Sequence, residues 1–348
     1  MRSTSSYPDR VHGLIPVVAV RGTHLYLLGI DDGSITSPSG YRTVFGDHNG
    51  ILGTLDDEGL IDIAHEPWGP GSKRLFVPET KKRFAHVGVA GNGHVAAVLR
   101  DDEAVVHEFA SWNAFKTYLH TSIHEQTKTE PRDEERSRPY SVPAGQEHTI
   151  HPVSHKITQL VSNTASFCVL DCEGRVYTWG DNRYGTLTRS GPSSSPQLVD
   201  HLCDLFSPDA SDKGPRVTKI VAGGWMTGAV RDDGVAFIWG AQMPGTERRQ
   251  GLLEGDGGYV ETTVEIEGES GVLDVLDMTI GEGFVVVVVE GGRLFGVGEN
   301  GNGQLGEGRM RGYYEDWTEI ETGGKDVLDV WAGPKTVYVR VNGNGGES

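Results

Sequence analysis

Residues 174–187 read GRVYTWGDNRYGTL, a run of β-branched and aromatic residues that ends at a cluster of Gly, Asp and Asn. Val, Tyr, Thr and Trp favour strands, whereas Gly, Asp and Asn favour turns. Weaker copies of the phrase are GRLFGVGENGNGQLGEG at 292–308, GVAFIWGAQMPG at 234–245 and HLYLLGIDDGSI at 24–35. A phrase repeated along a chain indicates a repeat architecture with one structural unit per copy.

Short turn sequences that contain Asp, Glu or Gly recur along the chain. They are IDDG (30–33), LDDEG (55–59), RDDE (100–103), LDCEG (170–174), RDDG (231–234) and VEGG (289–292). Asp-Gly and Gly-Gly between apolar runs are hairpin signals, because Gly accepts the positive φ of tight turns. Two apolar runs separated by small residues precede each turn, as in KIVAGGWMTGAVRDDG at 219–234. Each unit therefore predicts several short antiparallel strands without a helix.

The spacing of the turns predicts a β-propeller. Turn glycines or their equivalents recur at positions 174, 234, 291 and 343, intervals that suit a four-stranded blade of about 50 residues. The chain length gives about seven such blades, with six as the alternative. Stacking blades in a ring covers both faces of every sheet. We expect an all-β, seven-bladed propeller as one domain over 11–345, with a strand at 11–20 completing the last blade and a flexible N-terminus at 1–10.

The repeat is interrupted between residues 111 and 152. Residues 111–121 predict a helix, because Ser111 is a good N-cap and Trp112, Phe115 and Leu119 fall on one face. We expect that face to pack on the propeller edge; docking of a partner is the alternative. The charged, proline-bearing residues 124–150 predict a disordered loop, which leaves open whether it orders on binding.

Composition argues against several classes of function. The net charge of −18 disfavours direct binding of nucleic acid. No apolar run approaches the roughly 18 residues of a membrane span, and no secretory signal follows the N-terminus. Three cysteines do not make a disulfide framework. These features predict a soluble, intracellular protein that does not bind membranes. We expect a monomer that acts in the cytoplasm and the nucleus.

No set of residues predicts catalysis, a cofactor or a metal. GVGENG at 296–301 matches the dinucleotide pattern, but the helix that would hold the pyrophosphate does not follow. His120 and His124 lack a third ligand nearby in the sequence. Paired aspartates recur at the hairpin turns, as turn chemistry would. We therefore expect a protein that is not an enzyme.

The stretches VYTWGDNRYGTL (176–187), VTKIVAGGWMTGAVRDDGVAFIWG (217–240) and LFGVGENGNGQLGEG (294–308) resemble the regulator of chromosome condensation repeat. That family forms seven-bladed propellers, and the likeness is specific over 157–308. Two positions depart from it. Trp225-Met226 stands where the family usually carries His after the Gly pair, and residues 186–188 have lost the usual Gln-Leu-Gly.

The resemblance implies a scaffold that binds proteins. In length the chain is similar to a fungal α-tubulin-suppressor-like group, which partners a small zinc protein in tRNA modification and diphthamide synthesis. It is equally similar to an animal group that binds a histone-demethylase-type oxygenase. Nucleotide exchange on a small GTPase, the activity of the founding member, is a further alternative.

Five residues are candidate partner contacts. Trp225 follows a Gly-Gly pair, where the chain nears a propeller face, and Trp331 lies near a comparable Ala-Gly pair; for Trp225, filling the core is the alternative role. Aromatic side chains bury a large area at low entropic cost and anchor interfaces. Met226 adjoins Trp225, and Arg183 and Tyr184 come from the break after the strand at 176–180. Trp179 and Trp239 end equivalent strands and predict blade packing instead.

Overall fold

The structure, a computed structural model, contains 27 strands and one α-helix within the residues that it describes. Those residues are 18–21, 24–28, 35–36, 41–47, 50–56, 58–64, 74–76, 82–124, 148–202, 214–241, 260–269, 271–306 and 312–341. The predicted all-β fold is confirmed, since antiparallel sheets account for nearly all of the regular structure.

The strands of the first half form four sheets in succession. They are β1 (Val18–Arg21), β2 (His24–Leu28) and β3 (Ile35–Thr36); β4 (Tyr41–Asp47), β5 (Gly50–Asp56), β6 (Ile61–Ala64) and β7 (Arg74–Phe76); β8 (Phe84–Val89), β9 (Val95–Leu99), β10 (Asp102–Phe109) and β11 (His148–Pro152); and β12 (Ile157–Ser162), β13 (Ser166–Asp171), β14 (Val176–Gly180) and β15 (Ser193–Leu198). Helix α1 (Trp112–His124) lies between β10 and β11 in the chain.

The strands of the second half continue the pattern. They are β16 (Val217–Gly223), β17 (Met226–Arg231), β18 (Ala236–Gly240) and β19 (Val260–Thr263); the small hairpin β20 (Glu267–Gly268) and β21 (Gly271–Val272); β22 (Val275–Ile280), β23 (Phe284–Val289), β24 (Arg293–Glu299) and β25 (Tyr313–Glu319); and β26 (Val327–Gly333) and β27 (Thr336–Val341). Five sheets of the described chain have four strands in consecutive order, and each is an antiparallel meander.

The first strands of successive sheets lie side by side. Contacts join β4 to β8, β8 to β12, β12 to β16, β16 to β22 and β22 to β26. Neighbouring sheets therefore stack face to face around their first strands, which is propeller packing. The count of seven blades stays a prediction, because the described parts of the two end sheets have only three and two strands.

The hydrophobic core lies between neighbouring sheets. One cluster joins Val230 and Ile238 of one sheet to Met278 and Val285 of the next. Trp179 and Trp239 are fully buried, so the expected packing role of these two residues is confirmed. Burial of apolar area contributes about 25 cal/mol per Å², so these junctions supply most of the stabilisation.

A β-bulge recurs in the first strands. The register with the second strand shifts after the first residue of β8, β12, β16, β22 and β26. The third residue of each of these strands is polar: His86, Gln159, Lys219, Asp277 and Asp329. Gln159 Nε2 donates to Thr218 O and Gln159 Oε1 accepts from Ile220 N, both at 2.9 Å. A polar side chain thus satisfies backbone groups of the next sheet.

Helix α1 packs against the sheet into which it is inserted and against the preceding sheet. Ser111 Oγ accepts a hydrogen bond from Ala114 N at 3.1 Å, which caps the first turn. Phe115 is buried against Phe84 and Phe109, with ring centroids 5.9 and 5.2 Å apart. The ring centroids of Trp112 and of Phe45 in the preceding sheet are 6.1 Å apart. The apolar face of the helix therefore packs on the propeller edge rather than on solvent.

The expected end of the loop at 124–150 is corrected. Residues 148–150, placed in the loop 124–150, belong to β11, because β11 pairs along its length with β10 across the insertion. The strand expected at 11–20 to complete the last blade is described only from residue 18, where β1 pairs with β2, and its place in the last blade stays a prediction. Residues 1–17 and 125–147, with the predicted flexible N-terminus and most of the predicted loop, lie outside the described residues.

Candidate protein-binding surface

The loops between first and second strands join one another around the ring. Backbone hydrogen bonds run from Gly91 N to Asn163 O (3.2 Å), Asn92 N to Thr164 O (2.8 Å), Thr164 N to Gly224 O (2.9 Å) and Glu282 N to Pro334 O (2.8 Å). The approach is close: a Cβ on Gly223 would lie 2.3 Å from Ile280 O, so only glycine fits there. We call this rim the inner collar (residues 90–94, 163–165, 223–225, 281–283 and 333–335).

The break after β14 is a turn built by side chains. Leu187 N donates to Asn182 Oδ1 at 3.0 Å, and Gly185 N donates to Asn182 O at 3.1 Å. Trp239 of the next sheet donates its Nε1–H to Thr186 O at 2.9 Å. Asn favours such turns because its side chain bonds nearby backbone. The turn is therefore anchored to the neighbouring sheet.

The break after β24 repeats this geometry. Leu305 N donates to Asn300 Oδ1 at 2.9 Å, and Gly303 N donates to Asn300 O at 2.9 Å. Asn300 is fully buried. The Asn, Gly and Leu of both copies are thus required by the turn itself.

Two positions of the turn differ between the copies. Arg183 and Tyr184 occupy the places that Gly301 and Asn302 hold in the second copy. Since both turns form the same hydrogen bonds, the geometry does not depend on these two side chains. Arg183 and Tyr184 are therefore available for another role.

Trp225 is likewise not required by the fold. The equivalent hydrogen bonds run from Ala241 N to Trp225 O (3.2 Å), Asp181 N to Ala165 O (3.0 Å) and Glu299 N to Gly283 O (2.9 Å). Ala165 and Gly283, which have a methyl group and no side chain, respectively, accept the same backbone hydrogen bond as Trp225. The indole of Trp225 is thus an addition to the inner collar.

The structure brings Arg183, Tyr184 and Trp225 together across two neighbouring sheets. The rings of Tyr184 and Trp225 have centroids 4.1 Å apart and are tilted by 53°. Arg183 is exposed, with its guanidinium 5.9 Å from the Tyr184 ring and 2.6 Å from Asp181 Oδ2. The hydrogen bond from Arg183 is the main cause that lowers the pKa of Asp181. The three side chains form one aromatic and cationic patch beside the inner collar.

The other two predicted contacts lie elsewhere. Met226 is 1% exposed and packs in the core between sheets, so its assignment as a surface contact is corrected. The reason is that β17 begins at Met226, which turns the side chain into the sheet interface. Trp331 lies on β26, two sheets beyond Trp225, and is 36% exposed. Its role as a partner contact stays a prediction.

Sequence reasoning missed a polar network around Glu108 on β10, whose side chain is 16% exposed. Glu108 Oε2 accepts from His151 Nε2 at 2.9 Å and from Trp179 Nε1 at 3.0 Å, and Oε1 lies 3.2 Å from His94 Nδ1. Burial raises the pKa of Glu108, but the hydrogen bonds from His151, His94 and Trp179 outweigh it and lower the pKa to about 2. A carboxylate with these partners joins two sheets rather than serving as a free base.

Among the described residues, no group of three or more His, Cys, Asp and Glu side chains is arranged to hold a metal ion. The one helix in that part of the chain is not long and apolar enough to cross a membrane.

Comparisons with known proteins agree with the repeat geometry. The regulator of chromosome condensation (RCC1) repeat model matches residues 173–230, and a second model of the same description matches 157–186. Human E3 ubiquitin-protein ligase HERC2 is 28% identical over 160 residues, which are 45% of this chain; the chain spans only 3% of the length of that relative.

Solved structures show the same fold. Human WBSCR16 superposes with a TM-score of 0.52 at 15% identity, over 84% of this chain and 69% of that one. Prp20p from Saccharomyces cerevisiae superposes with a TM-score of 0.54 at 13% identity, over 85% and 67%. Together with the stacked four-stranded sheets, these matches show that the chain has a β-propeller fold and that residues 157–230 match the RCC1 repeat.

Proposed function

We propose that this propeller is a non-enzymatic scaffold that binds a protein partner through Arg183, Tyr184 and Trp225. The observation that carries the proposal is that all three side chains stand at positions where other copies of the repeat keep the same backbone geometry without them. Trp, Tyr and Arg are the residues most enriched at binding hot spots.

The surroundings of the patch support tight binding. The anchored turn and the inner collar hold the Tyr184–Trp225 ring pair in place, so little conformational entropy is lost when a partner binds. The net charge of −18 favours a basic partner, mainly by accelerating encounter.

The partner we favour is a component of the tRNA-modification and diphthamide machinery, such as a small zinc protein. A chromatin-associated oxygenase of the histone-demethylase type is the alternative. A nucleotide-exchange role on a small GTPase is a further alternative, and it draws on the binding of Prp20p to Gsp1p and histones. Either place of action, cytoplasm or nucleus, fits these partners and is part of the proposal.

The test is affinity purification of the tagged full chain from its own cells, with quantitative mass spectrometry. We expect a specific partner to follow the native chain and to be lost from the Tyr184→Ala and Trp225→Ala variants. Each substitution should weaken a purified complex by about 2 kcal/mol, roughly 30-fold in Kd. Asn302→Ala, at the position of Tyr184 in the second copy, is the matched control and should keep the partner.

The recovered proteins also decide among the alternatives. Equal recovery with all variants would show that the partner binds elsewhere on the propeller. If no protein is recovered, stimulated GDP release from a small GTPase would favour the exchange-factor alternative over the scaffold.

A further inference from the structure

An ion pair recurs where neighbouring sheets meet, at the end of the strands opposite the inner collar. It joins an acidic residue, in the turn after the second strand or at the start of the third strand, to a basic residue directly before the first strand of the next sheet. The pairs are Glu58 with Arg83 (3.6 Å), Glu103 with Lys156 (2.6 Å) and Glu173 with Arg216 (2.9 Å). We call the basic position the junction position.

The junction position has the opposite charge at the next sheet boundary. Asp274 precedes β22 as Arg216 precedes β16. The backbone shows that the two are equivalent: Arg216 O accepts from Asp232 N and Asp274 O accepts from Glu290 N, both at 2.9 Å. The boundary before β26 again carries an acid, Asp326, at this position. A cation that three boundaries supply from within the chain is therefore replaced by a carboxylate.

A cavity of about 330 Å³ opens at this altered boundary. Its lining consists of Thr218, Arg231, Asp232, Asp233, Gly234, Asp274, Val275 and Leu276. Arg231 pairs with Asp233 within the turn. Asp232 Oδ1 accepts a hydrogen bond from Arg216 N at 2.9 Å. The described lining thus carries three carboxylates and one guanidinium, and the Asp274 carboxylate has no hydrogen bond or ion pair within the described chain. The cavity keeps an excess of negative charge.

One exposed leucine lines the cavity, and a second occupies the equivalent position of the next sheet. The recurrent bulge leaves the second residue of several first strands exposed. This residue is Thr158 in β12 and Thr218 in β16, whereas in β8 it is the half-buried Ala85. In β22 and β26 it is Leu276 and Leu328, which are 60% and 48% exposed. The polar residue is thus replaced by an apolar one at the same two boundaries where the junction position is acidic.

We propose that this surface, the acidic–leucine groove (Asp232, Asp233, Asp274, Leu276 and Leu328), binds a segment of a partner protein that carries Lys or Arg beside an apolar residue. The basic side chain takes the place that Arg216 holds at the preceding boundary, and the apolar side chain contacts Leu276 and Leu328. Charge complementarity selects this occupant over an acidic or purely apolar one. The groove is separate from the Tyr184–Trp225 patch, which lies at the other end of the strands.

The variants that test this proposal use residues that the repeat itself carries. Asp274→Arg restores the basic junction residue, and Leu276→Thr restores the residue found in β12 and β16, so both variants should fold. Glu315→Arg, on the exposed face of the outer strand β25, makes the same change in net charge away from the groove. Thermal melts confirm folding before binding is measured.

The probe is a phage-displayed dodecapeptide library selected on the full native chain. We expect enriched peptides to carry Lys or Arg next to Leu, Ile, Met or Phe. Their affinity should fall at least tenfold on Asp274→Arg and severalfold on Leu276→Thr, and it should stay unchanged on Glu315→Arg and on Trp225→Ala. The proposal is overturned if no such peptides are enriched, or if they bind the folded Asp274→Arg variant as well as the native chain.

Discussion

Glu108 shows how one side chain links distant parts of the propeller. It lies on β10, and its carboxylate accepts hydrogen bonds from His151 on β11 and from Trp179 on β14 of the next sheet. A buried carboxylate is costly unless donors compensate the lost hydration. Here the donors do more than compensate, since the pKa falls from the usual 4.5 to about 2.

This carboxylate makes stability depend on acid pH. Because the pKa is lower in the folded chain than in the unfolded chain, the stabilisation is complete above about pH 4.5 and is lost as the pH falls toward 2. The shift corresponds to about 3 kcal/mol, since one pKa unit is about 1.4 kcal/mol. We expect Glu108→Gln to be less stable at pH 7 by about this amount. Urea unfolding of the native chain and of Glu108→Gln at pH values from 7 to 2.5 measures both the pH dependence of stability and the loss at pH 7.

Glu103→Gln is the control for that measurement. Glu103 pairs with Lys156 near the surface, where an ion pair is worth about 0–1 kcal/mol. The free energy of unfolding of this variant should follow that of the native chain across the pH range. A Glu108→Gln variant with the native pH dependence would contradict the role assigned to the carboxylate.

Helix α1 departs from the repeat, yet it is integrated in the core. Phe115 is buried between Phe84 and Phe109, so Phe115→Ala leaves a cavity between the helix and its sheet. We expect a loss of about 3–5 kcal/mol in the free energy of unfolding, measured by chemical denaturation. Asn113→Ala on the exposed side of the helix should change it by less than about 0.5 kcal/mol. If Phe115→Ala and Asn113→Ala changed the free energy of unfolding equally, the packing of the helix on the propeller would be contradicted.

Elements were predictable from the sequence where local pattern determines them. The strands at 176–180 and 236–240 follow from their composition and the turns that bound them. β11 was not predictable, because its pairing partner β10 lies across the insertion and its own residues are polar. Glu108 was missed for the same reason: its partners His151 and Trp179 are 43 and 71 residues away in sequence. Trp225 and Met226 differ by one position, and only the start of β17 separates surface from core.

At the scale of the whole molecule, polar side chains near the ring axis connect the sheets that the core packs together. Asp277 on β22 is the most connected of them: it pairs with Lys219 of the preceding sheet and accepts from Val330 N of the following sheet at 3.0 Å. The bulge in each first strand brings these backbone groups within reach of the neighbouring side chain. A defect at Asp277 therefore affects two boundaries at once.

We expect Asp277→Ala to lower the free energy of unfolding by about 3 kcal/mol, because it leaves Lys219 and the buried Val330 N–H without their acceptor. Each sheet is covered by its neighbours, so the loss should shift one cooperative transition rather than release a single sheet. Far-UV circular dichroism and tryptophan fluorescence, which reports on buried Trp179 and Trp239, should give the same lower midpoint. Asp316→Ala, exposed on β25, should melt like the native chain. Separate midpoints for the two probes would mean that Asp277 supports its own boundaries alone, and that the propeller unfolds in parts.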